Sequence, residues 1–194
     1  MPATWKTALR QQLNQPVSNA TTLPRLAILG VGNEMRCDDA AGVLIARALS
    51  QRECATHTDR VLIIDASHAP ENRTAELRRF APDLVIIVDA ADMGEEPGTI
   101  QWIPVESIDG MSASTHSLPL SMLRRYLVLE LNCVVSLLGI QANSNDVGER
   151  VSPQVVQAVG EIADGLDALL GAVDPLPATI AAQVRHAVPH TGRA

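Results

Sequence analysis

Three apolar runs in this 194-residue chain lead directly into aspartates. Leu26–Leu29 is followed by Gly30-Val31-Gly32-Asn33 and then Arg36-Cys37-Asp38-Asp39. Val61–Ile64 is followed by Asp65-Ala66-Ser67-His68, and Leu84–Val88 by Asp89-Ala90-Ala91-Asp92. Open parallel sheets bind ligands beyond the carboxyl ends of their strands. Three strands so arranged deliver carboxylates to one rim, where they repel and lose solvation unless a cation or a shared proton compensates. The chemistry this suggests is metal contact or acid/base work. Any one of these aspartates is equally a turn former or a helix cap. Neighbouring positions at a helix start point about 100° apart, so Asp38 and Asp39 do not easily serve one ion. Asp38 is assigned to capping and Asp39 to the site. His116 ends the small, polar stretch Asp109–Thr115 and precedes another helical segment. With Asp39 and Asp89 it makes one imidazole and two carboxylates, a set that suits nickel, zinc or another borderline divalent ion.

Other chemistries find less support. Gly30-x-Gly32 opens like a dinucleotide fingerprint, but the position of its third glycine holds Met35, and acidic residues at the helix start repel phosphate. No Gly-x-Ser-x-Gly elbow occurs, which leaves serine hydrolysis without its nucleophile. No His-Glu-x-x-His, Cys-x-x-Cys or EF-hand loop accompanies the carboxylates. Cys37 lies near a helix start, which lowers a thiol pKa, yet its two aspartate neighbours act the other way; it is read as a packing residue.

The elements that must position these residues are readable from periodicity. Leu26–Leu29, Val61–Ile64, Leu84–Val88 and Cys133–Leu138 are continuous apolar runs, as expected of strands covered on both faces. A weaker fifth strand fits Thr99–Val105, at an edge because of Pro104. Between them, Ala41, Leu44, Ile45, Ala48 and Leu49 form one helical stripe. Pro70–Phe80 reads as a short polar helix; Leu120, Leu123, Leu127 and Leu131 mark another, and Val155, Val159, Ile162, Leu166 and Leu169 a last one. The alternation predicts an α/β layered sheet. Residues 25–170 are expected to form the domain, with 1–24 an N-terminal extension containing one short helix and 171–194 a C-terminal tail broken by prolines.

Composition narrows the function further. The chain has 15 basic and 22 acidic residues, a net charge of −7, and only 2% aromatic residues. Nucleic-acid and anionic-membrane binding need a cationic face, so neither is expected. The apolar runs fall short of the roughly 20 residues that span a bilayer. The N-terminus lacks the basic-then-apolar pattern of a secretory signal. Cys37, Cys54 and Cys133 are scattered and odd in number, which predicts no disulfide framework and a cytoplasmic protein.

Leu26–Asn33 followed by Asp38-Asp39 and Gly42 resembles the opening of the [NiFe]-hydrogenase maturation endopeptidases. Further matching segments are Ile64-Asp65, Ala69–Asn72, Ile87–Gly94, Pro97-Gly98, Thr115–Leu120 and Leu138–Gln141. The Ala-Pro-Glu-Asn and Asp-Met-Gly segments are most similar to the branch serving hydrogenases of the formate-hydrogenlyase type. The resemblance spans about residues 25–170. It implies a twisted, mostly parallel five-stranded sheet between helices, of the phosphorylase/hydrolase-like kind. It also implies one cut near the C-terminus of the hydrogenase large-subunit precursor. The family's metal-contacting positions fall on Asp39, Asp89 and His116, and the nickel they meet is carried by the substrate as a recognition signal, not held as a permanent cofactor. The family commonly has glycine where Cys37 and Ala40 stand, and a small residue at His68, which either reaches the site or faces solvent.

The resulting expectation is an aspartyl-type, nickel-dependent processing endopeptidase, cytoplasmic and monomeric. Its Asp39, Asp89 and His116 grip the nickel lodged in the precursor. Asp65, ending a neighbouring strand and not needed as a ligand, is the candidate base or orienting group, with Asp39 given a second, catalytic role. The nickel itself, polarising a carbonyl or a bound water, is the competing source of activation. The rival reading is a protein that binds the nickel-loaded precursor without cutting it. A nucleotide-dependent oxidoreductase built on Gly30 and Gly32 is disfavoured by the missing glycine.

Overall fold

The computed structural model describes residues 4–14, 24–52, 59–103, 119–148 and 150–173. Along the chain these form α1 (Trp5–Leu13), β1 (Leu26–Val31), a 3-10 turn (Cys37–Ala40), α2 (Ala41–Ser50) and β2 (Val61–Ser67). A second 3-10 turn (Pro70–Arg73) runs into α3 (Thr74–Phe80), followed by β3 (Leu84–Ala91), β4 (Ile100–Ile103), α4 (Leu120–Leu131), β5 (Val134–Gln141) and α5 (Pro153–Val173). The five strands make one sheet in the order β2-β1-β3-β5-β4. Every neighbour pair is parallel except β4–β5. The expected edge strand is there, antiparallel and starting at Ile100, one residue after Thr99; its expected end, Pro104-Val105, lies outside the described residues.

The apolar runs are buried on both faces because helices cover both. Leu26, Ile28, Leu84, Ile86, Val88, Leu138 and Ile140 face α1, α2 and α5. Their alternates Ala27, Leu29, Val85, Ile87, Val135 and Leu137 face α3 and α4, as the two-residue period of a strand requires. Leu120, Leu123 and Leu127 of α4 fill the second face. The segment read as one helix, Pro70–Phe80, is divided: Pro70 starts a tight 3-10 turn and the α-helix begins only at Thr74.

Two features depart from the expected outline. The first three parallel strands run two or three residues further than their apolar runs, since ladder pairing continues past the last large side chain. Asp65 and Asp89 are therefore strand residues, paired with Gly30 and Gly139. The second departure is α1. Residues 1–24 were expected to be an extension outside the domain, yet Trp5, Leu9 and Leu13 are buried in the α2/α5 core. Trp5 occupies a notch at Gly165 of α5, where a Cβ would come within 2.6 Å of its ring. The indole NH donates to Glu161 and Lys6 pairs with the same carboxylate. Each buried side chain of this kind contributes about 2 kcal/mol of apolar burial. Helix α1 is thus packed into the core.

Candidate active site

The rim at the carboxyl ends of β1 and β3 is shaped by close backbone approach. Gly42, in the first turn of α2, has its missing Cβ within 2.2 Å of the Val31 and Val88 carbonyl oxygens. Any side chain there would push α2 off the sheet. The 3-10 turn before it is thereby held against β3, beside the residue preceding Asp89. Gly32 has φ +148°, and a Cβ on it would lie 1.8 Å from the Asp39 carbonyl oxygen. These glycines bring Asp39 from a loop, and Asp89 from a central strand, to the same rim. Asp39 is 1% exposed and Asp89 is 2% exposed. Strand alternation puts Asp89 on the face of Val85 and Ile87, the α3/α4 side.

Beside Asp89, its ladder partner Gly139 carries no side chain, and the Met93 thioether lies over it, 3.0 Å from the position a Cβ would take. The Gln141 carboxamide seats that segment, accepting from the Met93 and Glu95 backbone N–H groups at 2.6 and 3.2 Å. Gly139 and Gln141, quoted for the family resemblance, thus act through the loop that follows Asp89. Sequence reading gave neither a role.

Asp38 does not cap a helix. α2 has no side-chain cap. The Asp38 carboxylate, 0% exposed, instead accepts from Asn143 N and Ser144 N at 2.8 and 3.0 Å and from Ser152 N and Oγ at 2.6 and 3.0 Å. Its donors lie more than a hundred residues away in the segment joining β5 to α5, a connection that local pattern could not reveal.

Asp65 sits at the other end of the rim, on edge strand β2. One carboxylate oxygen accepts from Arg47 Nε at 2.7 Å, the other from Ser67 N and Oγ at 3.1 and 3.0 Å. Arg47 in turn forks onto Glu34. Burial acts to raise the Asp65 carboxyl, but the Arg47 guanidinium and the Ser67 donors outweigh it and hold it below its ordinary value. A carboxylate so engaged is a weak base. His68 is exposed in the turn after β2. Cys37 adopts φ +42° with its sulfur 3.0 Å from the place a Gly148 Cβ would occupy. That left-handed backbone is one glycine adopts without strain, as the glycine expected from the resemblance would. Ala40 is buried without disturbing the turn. The Cys133 thiol is pushed up to about 11, mainly by burial, and packs as an apolar residue.

His116, Cys54 and residues 174–194 lie outside the described residues. Among the described residues no group of three or more His, Cys, Asp or Glu side chains is gathered for a metal. Of the three expected donors, Asp39 and Asp89 lie among the described residues, both buried. No described helix is long and apolar enough to cross a membrane.

A five-stranded, mostly parallel sheet between helix layers with buried carboxylates at its rim makes this a small three-layer α/β domain, and comparison with known proteins assigns the family. The family model described as Hydrogenase maturation protease (HycI) matches residues 43–166, which include Asp65, Asp89 and His116 and begin just after Asp39. The chain belongs to the hydrogenase maturation protease family. It is 38% identical to the hydrogenase 3 maturation protease of Escherichia coli K12 over 115 residues, covering 59% of this chain and 70% of that protein. The crystal structure of the [NiFe] hydrogenase maturation protease HycI from Thermococcus kodakarensis superposes with a TM-score of 0.68 at 32% identity, covering 76% of this chain and 92% of that one. The endopeptidase HybD of E. coli is similar at TM-score 0.64 and 27% identity, over 75% of this chain and 91% of its own.

Proposed function

We propose that this protein is a cytoplasmic endopeptidase that removes a C-terminal peptide from the nickel-loaded precursor of a [NiFe]-hydrogenase large subunit, using the substrate's nickel as its recognition signal. The observation that carries the reading is the pair of buried carboxylates, Asp39 and Asp89, that a loop and a central strand supply to one rim in a chain of this family. His116 completes the proposed contact set. Two carboxylates and an imidazole offer anionic and neutral donors to a borderline divalent ion, so a precursor without its ion loses the contact and docks poorly.

In this mechanism Asp39 and Asp89 hold the loaded ion against the rim and so fix the scissile peptide beside it. Asp65 is assigned a bracing role through Arg47 and Glu34, because both of its oxygens are engaged. Asp39 is assigned the second, catalytic role of orienting or deprotonating a water, from its burial at the rim beside Asp89. Nickel, as part of the substrate, supplies Lewis acidity at the bound group.

Intact-mass measurement of a nickel-loaded large-subunit precursor after incubation with this protein tests the proposal. A single loss of a C-terminal peptide that requires nickel and Asp89 is the expected result. Stable complex formation with no mass change would favour the rival reading of a non-cleaving binding protein.

A further inference from the structure

We infer that Asp38 is a positioning residue, which aims Asp39 by fastening the 3-10 turn Cys37–Ala40 to the segment between β5 and α5. The inference rests on the reading of Asp39 as a substrate-contacting carboxylate. It adds a residue that touches neither ion nor substrate but sets the residue that does.

Burying a carboxylate costs several kcal/mol unless it is well hydrogen-bonded. Asp38 is 0% exposed and receives four donors, from residues 143–144 and 152. Closing the two loops does not by itself require that charge. Backbone pairs already join them: Cys37 N donates to Gly148 O at 2.7 Å, Gly148 N to Met35 O at 2.8 Å, and Asp38 N to Ser144 O at 3.1 Å. What a carboxylate adds is two acceptor atoms with several lone pairs on one rigid group. It ties two separated stretches to a single point, next to the peptide of Asp39.

The peptide of Asp39 is gripped on its other side as well. Its carbonyl accepts from Asn33 N at 3.0 Å and its N–H donates to Arg36 O at 2.9 Å. Gly32 leaves no space for the carbonyl to move toward β1. With both neighbours fixed, the Asp39 side chain retains only its own rotamers. Supporting hydrogen bonds of this type hold a functional group within the fraction of an ångström that catalysis needs.

The test uses the full chain, a nickel-loaded [NiFe]-hydrogenase large-subunit precursor, and thermal melts run in parallel. Asp38→Asn is isosteric but turns an NH2 group toward backbone donors on one side. The expected result is a loss of more than tenfold in kcat, with KM within threefold, in protein still folded at the assay temperature. Ser152→Ala removes one donor and leaves the backbone donors in place; it is expected to lower kcat more than threefold, and Ser152→Thr to restore it within twofold. If Asp38→Asn does not fold, the Ser152 pair decides alone. A folded Asp38→Asn with kcat within tenfold of the parent, or a Ser152→Ala with unchanged kcat, overturns the proposal. Asp39→Asn run alongside separates the two levels. Should Asp39→Asn keep full turnover, the reading of Asp39 fails; a dead Asp39→Asn with a fully active Asp38→Asn refutes only the positioning role.

Discussion

Asp65 and Asp89 stand in nearly the same local sequence, Ile-Ile-Asp-Ala and Ile-Val-Asp-Ala, and the fold gives them opposite surroundings. Asp65 ends up on edge strand β2, where no strand among the described residues pairs on its outer side and where α2 can send Arg47 across to it. Its side chain stays 29% exposed. Asp89 lies on β3 between β1 and β5, with Gly139 as ladder partner and 2% exposure. The central strand keeps solvent and the Arg47–Glu34 pair away from it. Strand order, which the local motif does not encode, divides two like carboxylates into one paired with Arg47 and one buried on the central strand.

The sharpest way to break that comparison is to neutralise each in turn. Asp89→Asn keeps the shape and removes the charge that meets a cation. Its cleavage of nickel-loaded precursor is expected to fall at least a thousandfold, about 4 kcal/mol in the barrier, with the circular dichroism spectrum unchanged. Cleavage within tenfold of the parent would remove Asp89 from the mechanism and with it the contrast to Asp65.

A second pair of regions separates stability from activity. α1 lies outside both the family match and the resemblance, yet Leu9 is 1% exposed in the core. Leu9→Ala is expected to lower the unfolding free energy by about 3 kcal/mol in denaturant titration while leaving turnover of the folded fraction unchanged. A loss of stability below about 1 kcal/mol would mean that α1 does not pack as described. Removal of residues 1–24 should have a larger effect in the same direction.

These cases show what the sequence made legible. The parallel strands were readable because their apolar runs are continuous, the signature of burial on both faces. The placement of Asp39 and Asp89 at the strand ends was readable because a rim follows once the strands do. The docking of α1 was not: three apolar residues spaced by four in a polar segment announce a helix, but its receiving notch, Gly165, is some 160 residues away. Asp38 failed for the same reason, since a cap is a local expectation and its four donors are distant. The pairing of Asp65 was hidden because Arg47 reaches it only across an edge that strand order creates.

Cys37 sharpens the view of the turn that carries Asp39. At φ +42° a residue with a Cβ costs about 1 kcal/mol relative to glycine, partly offset by the greater freedom glycine has when unfolded. Cys37→Gly is expected to raise stability by about 0.5 kcal/mol and to change turnover by less than tenfold. A melting temperature below the parent's would show that the thiol's contact with Gly148 outweighs the backbone strain. Background-level cleavage would place the sulfur in the reaction.

The smallest effect is expected at Asp65, and its pH dependence carries the information. The folded carboxyl is held below its ordinary value by Arg47 and Ser67 against the opposing effect of burial. A depressed carboxyl stabilises the fold above its unfolded pKa, near 3.9, and that stabilisation is lost as pH falls through the lower folded value. Asp65→Asn should therefore be less stable than the parent at pH 7, with the two converging as the pH drops below about 4. Arg47 and Asp65 are 45% and 29% exposed, so solvent screening limits the difference to about 0.5 kcal/mol. Cleavage at pH 7 should stay within threefold of the parent, because a brace on an edge strand transmits little to a rim that Gly32, Gly42 and Asp38 already hold. A hundredfold loss of cleavage in a variant this close to the parent in stability would make Asp65 the base and reverse the assignment of the two aspartates.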